Sequence, residues 1–269
     1  MILWCDGAHD PPENMRRDAA LLERIEHGAG EDPVLRVFQF DPHGITLGAS
    51  QDPARLLDRA RCERDGIPFA VRPTGGRAIF HAEEWTYSLS ARLDDPEWGG
   101  SLRESYATTA GLLISSLLRL GVPVEPAPAG RRGLAGGAAA GAACFATTAG
   151  HEIVVGGRKL VGSAQRRLSR AFLQQGSLLL GPGHLRLADY LLLPDAAKAA
   201  TREGLARRTV DAGRWVGAAP LDRWAESLAS CLAVPPLRVS GEAGLATLTL
   251  YEADSYTPAQ STPPAAPSS

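Results

Sequence analysis

Lysine is almost missing from this chain: of 28 basic residues, only Lys159 and Lys198 are not arginine. Where arginine fills nearly every basic position, a retained lysine is a candidate for work that needs a compact ammonium of tunable pKa. Cysteine is also scarce. Cys5, Cys62, Cys144 and Cys231 stand far apart, with no CxxC pair and no short-spaced His/Cys cluster. That spacing excludes a zinc module and a disulfide scaffold, and it predicts free thiols in a reducing compartment. Neither sign of charge dominates, since 28 basic and 30 acidic residues leave a net charge of −2, which argues against a dedicated nucleic-acid binder. Long hydrophobic runs are lacking as well. The opening MILWCDGAHDPPEN carries acids and prolines where a secretory leader has an apolar core. Residues 133–150 are free of charge but mostly Gly and Ala, too poor in large side chains to enter hydrocarbon. They predict a flexible loop instead. The expectation is a cytoplasmic protein with no metal, no membrane and no nucleic acid among its partners.

What is present is an interleaved pattern of helices and strands. Residues 13–27 place Leu21, Leu22 and Ile25 on one face of an amphipathic helix, and VLRVFQF (34–40) is a β-rich run before the turn residues DPHG. A helix is predicted over 53–65. Ser101 followed by Glu104 is a capping-box signature opening a helix over 102–120, which stops at Gly121. Gly156-Gly157 between two β runs marks a hairpin, and residues 171–180 continue as strand. About 185–235 reads as helical, PLRV and ATLTLY as a small terminal hairpin, and 256–269 as a disordered Pro/Ser/Ala tail. The pattern predicts one α+β domain over 1–255, with a mixed, largely antiparallel sheet packed against helices.

Three segments could carry chemistry. In Arg72-Pro-Thr-Gly75-Gly76-Arg77-Ala-Ile-Phe-His81, twin glycines between β runs let backbone approach a ligand, with Arg72, Arg77 and His81 bracketing the bend. A plain hairpin with a solvated arginine at each end would show the same residues. In Gly157-Arg-Lys159-Leu-Val-Gly162-Ser163-Ala164-Gln-Arg-Arg167, strand alternation puts Lys159 on a face with Val161 and Ser163, a poor place for a merely solvating charge. A surface strand lysine is the competing reading. Cys144 ends the glycine-rich loop rather than lying within an apolar run. A free cysteine can also serve simply as a small buried hydrophobe, the role assigned here to Cys5, Cys62 and Cys231.

In this order and spacing the segments resemble the lipoate–protein ligase and octanoyltransferase superfamily, which is related to biotin–protein ligases. RPTGGRAIFH resembles its acyl-binding R-x-[ST]-GG-x-x-x-x-H segment, and GRKLVGSAQRR its lysine motif. QQGSLLL follows where the pattern usually reads Q-H-G-S, so Gln175 stands in place of histidine. The resemblance covers about residues 13–185. It implies a biotin/lipoate ligase-like catalytic fold and a pocket lined by Arg72, Gly75, Gly76, Arg77, His81, Gly162, Ser163 and Ala164. The Cys-Phe pair some fifteen residues before the lysine is similar to octanoyl-[acyl carrier protein]:protein N-octanoyltransferases. That likeness implies Cys144 as nucleophile, Lys159 as its charged partner and no cofactor. The implied partners are octanoyl-acyl carrier protein and the lipoyl domains of 2-oxoacid dehydrogenases or the glycine cleavage H protein. Three alternatives use parts of the same set: an ATP- and Mg-dependent lipoate ligase in which Lys159 contacts the adenylate, an amidotransferase between lipoyl-carrying proteins, and a non-catalytic carrier-binding module. Arg131, Arg132, Arg166, Arg167 and Arg170 could meet an acidic carrier or form only a solvated rim.

Overall fold

A computed structural model of the chain describes residues 1–127 and 152–241, together with Gly244 and Leu248. In chain order its first elements are β1 (Ile2–His9), α1 (Pro11–Glu26), β2 (Val34–Phe40), β3 (Gly44–Leu47), α2 (Pro53–Leu56), α3 (Arg59–Arg64), β4 (Phe69–Val71), β5 (Ile79–His81), β6 (Glu84–Arg92) and α4 (Leu102–Arg119). Then come β7 (Glu125–Pro126), β8 (Ile153–Val155), β9 (Arg158–Arg167), β10 (Ala171–Leu179), a 3-10 turn (Pro182–Arg186), α5 (Leu187–Tyr190), α6 (Asp195–Arg208), α7 (Gly213–Val216), α8 (Leu221–Ala229) and β11 (Leu237–Ser240). Eight strands form one sheet in the order β11-β1-β2-β6-β10-β9-β8-β7, and β3 lies between β4 and β5 in a second, small sheet. β1 is parallel to both its neighbours, whereas every pairing from β2 to β7 is antiparallel. The expected α+β architecture with a mixed, largely antiparallel sheet is the one that forms.

Local chemistry explains most element ends. Asp10 caps α1 by accepting from the Glu13 amide, and Pro11 and Pro12 occupy the first turn, where no donor is lost. The Ser101–Glu104 capping box opens α4 as read. Gly156 and Gly157 take φ of +56° and +72°, the left-handed pair that a two-residue hairpin turn demands. The predicted helix over 53–65 is instead two short ones. Leu57 between them is extended and bridges to Leu191, and Asp58 starts afresh as the cap of α3. The terminal hairpin is a correction. PLRV does supply a strand, β11, but it pairs in parallel with β1, and Leu248 of ATLTLY is helical and packs with Ile2, Trp4, Leu21 and Val34. The tail at 256–269 and the loop at 133–150 lie outside the described residues. Among those described, no helix is long and apolar enough to cross a membrane.

Two layers cover the large sheet. α4 and α8 pack on one face through Leu113, Leu117, Trp224 and Leu228, with Trp85 stacked on Trp224 at 5.6 Å. The other face meets α1 through charge as well as apolar contact. Arg36 of β2 is fully buried between Asp6 of β1 (2.8 Å) and Asp18 of α1 (2.7 Å), and its Nη2 also donates to Asn14 Oδ1. Arg17 of α1 is buried too, and it pairs with Asp6 and Glu13. Burial alone would push the Glu13 carboxyl up. Hydrogen bonds from Arg16 and Arg17 outweigh it and hold the pKa down to about 2.

Candidate functional site

A cavity opens between the large sheet, the small sheet and α1. Met15, Phe40 and Ile79 give it apolar wall, and Arg72, His81 and the backbone step 162–164 give it polar wall. Five residues expected in one pocket, Arg72, His81, Gly162, Ser163 and Ala164, thus meet there from two separate segments. Gly75, Gly76 and Arg77 do not line it. They form the bend beside it, and Arg72 holds that bend by donating from Nη2 to the carbonyls of Gly75 and Arg77, each at 2.8 Å. Gly76 takes φ +92°, and its carbonyl packs so closely on Gly48 that a Cβ there would come within 2.0 Å.

His81 is buried and stacked on Phe40 at 3.9 Å. Its Nδ1 lies 2.5 Å from Glu84 Oε1, and its Nε2 lies 2.6 Å from Thr46 Oγ1. Gln175 also lines the cavity, although it departs from the family's histidine. Its oxygen accepts from Thr74 at 2.7 Å, and its nitrogen donates to Asp18 at 2.5 Å, so a neutral amide ties the bend to α1. On β10, the Gln174 amide donates to the Tyr87 hydroxyl at 3.0 Å. Burial pushes the Tyr87 phenol up to about 12 against these hydrogen bonds, so it stays neutral and can donate onward to Ser163, 2.7 Å away. The Ser163 hydroxyl then keeps its own proton for a group in the cavity.

Lys159 is buried, not a surface strand lysine, and its ammonium is paired with Glu152. It lies on β9 three residues before the cavity wall begins at Gly162. Its backbone carbonyl accepts from the Val210 amide, so the segment after α6 closes over this part of the strand. Cys144, Arg131 and Arg132 lie outside the described residues. Arg166 and Arg167 are occupied with backbone carbonyls, those of Pro73 and Gly100. The sequence reading missed Thr46, Thr74, Glu84 and Asp18. One signal for them was the strict alternation of β6, whose polar residues Glu84, Thr86, Ser88 and Ser90 are all buried.

Two of the other thiols, Cys5 and Cys62, have environments unsuited to attack. Burial, then a hydrogen bond to Asp222, pushes the Cys5 thiol up to about 12, and burial pushes Cys62 up to about 11. At pH 8 both are overwhelmingly protonated, and the thiolate is the reactive form. Iodoacetamide at pH 8 is therefore expected to modify Cys144 before Cys5 or Cys62, as read by peptide mass spectrometry. Faster labelling of Cys5 or Cys62 would contradict this ordering.

Residues 10–212 match the lipoyl protein ligase A/B catalytic domain family. The chain is 42% identical over 192 residues to an octanoyltransferase LipM of Moorella thermoacetica, covering 71% of this chain and 69% of that protein. It is 40% identical to an octanoyltransferase LipM of Kyrpidia tusciae, covering 62% and 61% respectively. A bi-partite lipoate protein ligase of Thermoplasma acidophilum shares the fold, with a TM-score of 0.64 at 17% identity over 91% of this chain and 90% of that one. With three quarters of its length matched by one family, this chain belongs to the lipoyl protein ligase A/B catalytic domain family.

Proposed function

We propose that the protein transfers an octanoyl group from octanoyl-acyl carrier protein to the lysine of a lipoyl domain or of the glycine cleavage H protein, in the cytoplasm, through an acyl-Cys144 intermediate. The observation that carries this reading is the convergence of Arg72, His81 and residues 162–164 on one cavity, with Lys159 buried three residues before that wall on the same strand. The similarity to two octanoyltransferases supports the choice of acyl group.

In the first step the Cys144 thiolate attacks the thioester carbonyl and the carrier leaves as its thiolate, which takes up the proton that the Cys144 thiol gave up on ionising. Exchange of one thioester for another is close to isoenergetic, so it needs no ATP. The Lys159 ammonium favours the thiolate over the thiol and donates to the carbonyl oxygen as it turns negative. Glu152 fixes the direction of that ammonium. In the second step the neutral amine of the acceptor lysine attacks the acyl-enzyme, the Cys144 thiolate leaves, and the amine's proton is lost as the amide forms. An amide is more stable than a thioester, which makes the transfer effectively one-way. Arg72, His81, Gly162, Ser163 and Ala164 bind the acyl chain and its carbonyl end, while Gly75, Gly76 and Arg77 form the bend at its rim.

The test is transfer without nucleotide. Purified protein mixed with octanoyl-acyl carrier protein and an apo lipoyl domain, in the presence of a chelator and no ATP, should yield octanoyl-lipoyl domain by intact mass. Product that appears only with ATP, magnesium and a free acid would establish a ligase instead. A stable complex with the carrier and no product would establish a binding module. Product from a lipoyl-carrying protein but not from the carrier would establish an amidotransferase.

A further inference from the structure

Buried hydrogen bonds connect the cavity wall to the twin-glycine bend through groups that no motif names. Glu84, at the start of β6 and 3% exposed, takes three donors on a single oxygen. Oε1 accepts from His81 Nδ1 at 2.5 Å, from Thr86 at 2.8 Å and from Ser177 at 3.2 Å. Its other oxygen has no hydrogen-bond partner among the described residues. A carboxylate accepts only, so the proton in the His81–Glu84 contact sits on Nδ1. In the neutral ring Nε2 is then an acceptor, and the Thr46 hydroxyl, 2.6 Å away, donates to it. Thr46 Oγ1 in turn accepts from Arg72 Nη1 at 3.3 Å. Arg72 spends its remaining donors on the Thr46, Gly75 and Arg77 carbonyls. The donors run one way, from Arg72 through Thr46 and His81 to Glu84, with a permanent cation at one end and an anion at the other.

We infer that Glu84 is a positioning residue for acyl-donor binding: it locks His81 as the Nδ1–H tautomer, and through Thr46 this fixes the Arg72 side chain that holds the twin-glycine bend at the cavity. The opposite tautomer breaks the chain. An Nε2–H ring would donate to Thr46, and among the described residues the Thr46 hydroxyl would then have no acceptor for its own proton. A protonated ring would do the same and would add a second buried cation near Arg72. The inference rests on the transfer reading for its kinetic consequence but not for its tautomer.

Two independent readouts test it. In 15N-histidine-labelled wild-type protein, with the His81 signals assigned by their loss in His81→Gln, Nδ1 should carry the proton and Nε2 should show the signature of an acceptor nitrogen. An Nε2–H ring or an imidazolium would overturn the inference whatever the enzyme does. Thr46→Val keeps the side-chain shape and should raise the KM for octanoyl-acyl carrier protein about tenfold, with kcat within about twofold. Glu84→Ala should do the same and also release the His81 tautomer. Because both cut one chain, the double variant should be no worse than the more affected single; multiplication of the two effects would refute the connection. Amide exchange at residues 75–77, faster in both variants, reads the bend without substrate. Failure of the transfer reaction itself therefore leaves this part standing or falling alone.

Discussion

Cys144→Ala is expected to reduce octanoyl transfer to the uncatalysed background, and Lys159→Met to slow it by about a hundred- to a thousandfold without abolishing it. The asymmetry follows from the roles. Without sulfur no acyl-enzyme can form, and intact mass of the alanine variant after exposure to octanoyl-acyl carrier protein should show no adduct. Without the ammonium the thiol is still present, but only the few per cent that is thiolate near neutral pH can attack, and the oxyanion loses a charged donor. Methionine is the fitting replacement because Lys159 is buried. It also takes the ammonium away from Glu152, so a double variant, Lys159→Met with Glu152→Gln, separates the loss of catalysis from the cost of removing one partner of a buried ion pair. If the methionine variant forms the acyl-enzyme as fast as wild type, Lys159 has no part in the thioester chemistry. An adduct that persists in Cys144→Ala would move the nucleophile elsewhere.

The parts of this design that were legible in the sequence are those written locally. α1, β2, the capped α4 and the Gly156-Gly157 hairpin are set by caps, turn glycines and apolar spacing within a few residues, and they stand where those signals put them. β1 was not legible. ILWCDGAH carries Asp6 and Gly7 in mid-strand, which reads as an interruption, yet Asp6 is buried to receive Arg17 and Arg36, and Gly7 takes φ +82° at a register shift. The pairing of β11 with β1 joins residues more than 230 positions apart, for which no local pattern exists. The site divides the same way. Arg72 and His81 were found because they share a short segment with the twin glycines, while Thr46, Glu84 and Asp18, which orient the residues around that bend, come from other elements. An alternating strand such as β6 ordinarily turns its polar face to water. Here that face is covered, and its polar side chains bond one another and the cavity wall instead.

Arg36→Met is expected to be the most destabilising single change in the fold, costing about 3–5 kcal/mol, the range for removing one partner from a buried ion cluster. The guanidinium is fully buried and serves Asp6, Asp18 and Asn14 at once, while lying 3.9 Å over the Phe38 ring. Methionine fills much of the same volume, so the loss is not a cavity effect. It comes from leaving Asp18 with only neutral donors, Ser88 and Gln175, and Asp6 dependent on Arg17 for its charge. Against a total stability of roughly 5–15 kcal/mol, that is a large fraction. Arg36→Lys should recover only part of the loss, because one ammonium cannot reach both carboxylates and the asparagine with the geometry of a planar fork. The effect should also reach the site. Asp18 orients Gln175, and Gln175 accepts from Thr74, so the KM for the acyl donor should rise in whatever fraction of the variant remains folded. Urea denaturation followed by fluorescence, with the m-value checked for constancy, measures the first effect, and initial rates at saturating acceptor measure the second. A midpoint shift worth less than about 1 kcal/mol would mean that Asp6 and Asp18 find other partners or water, and that the cluster is not what joins α1 to the sheet.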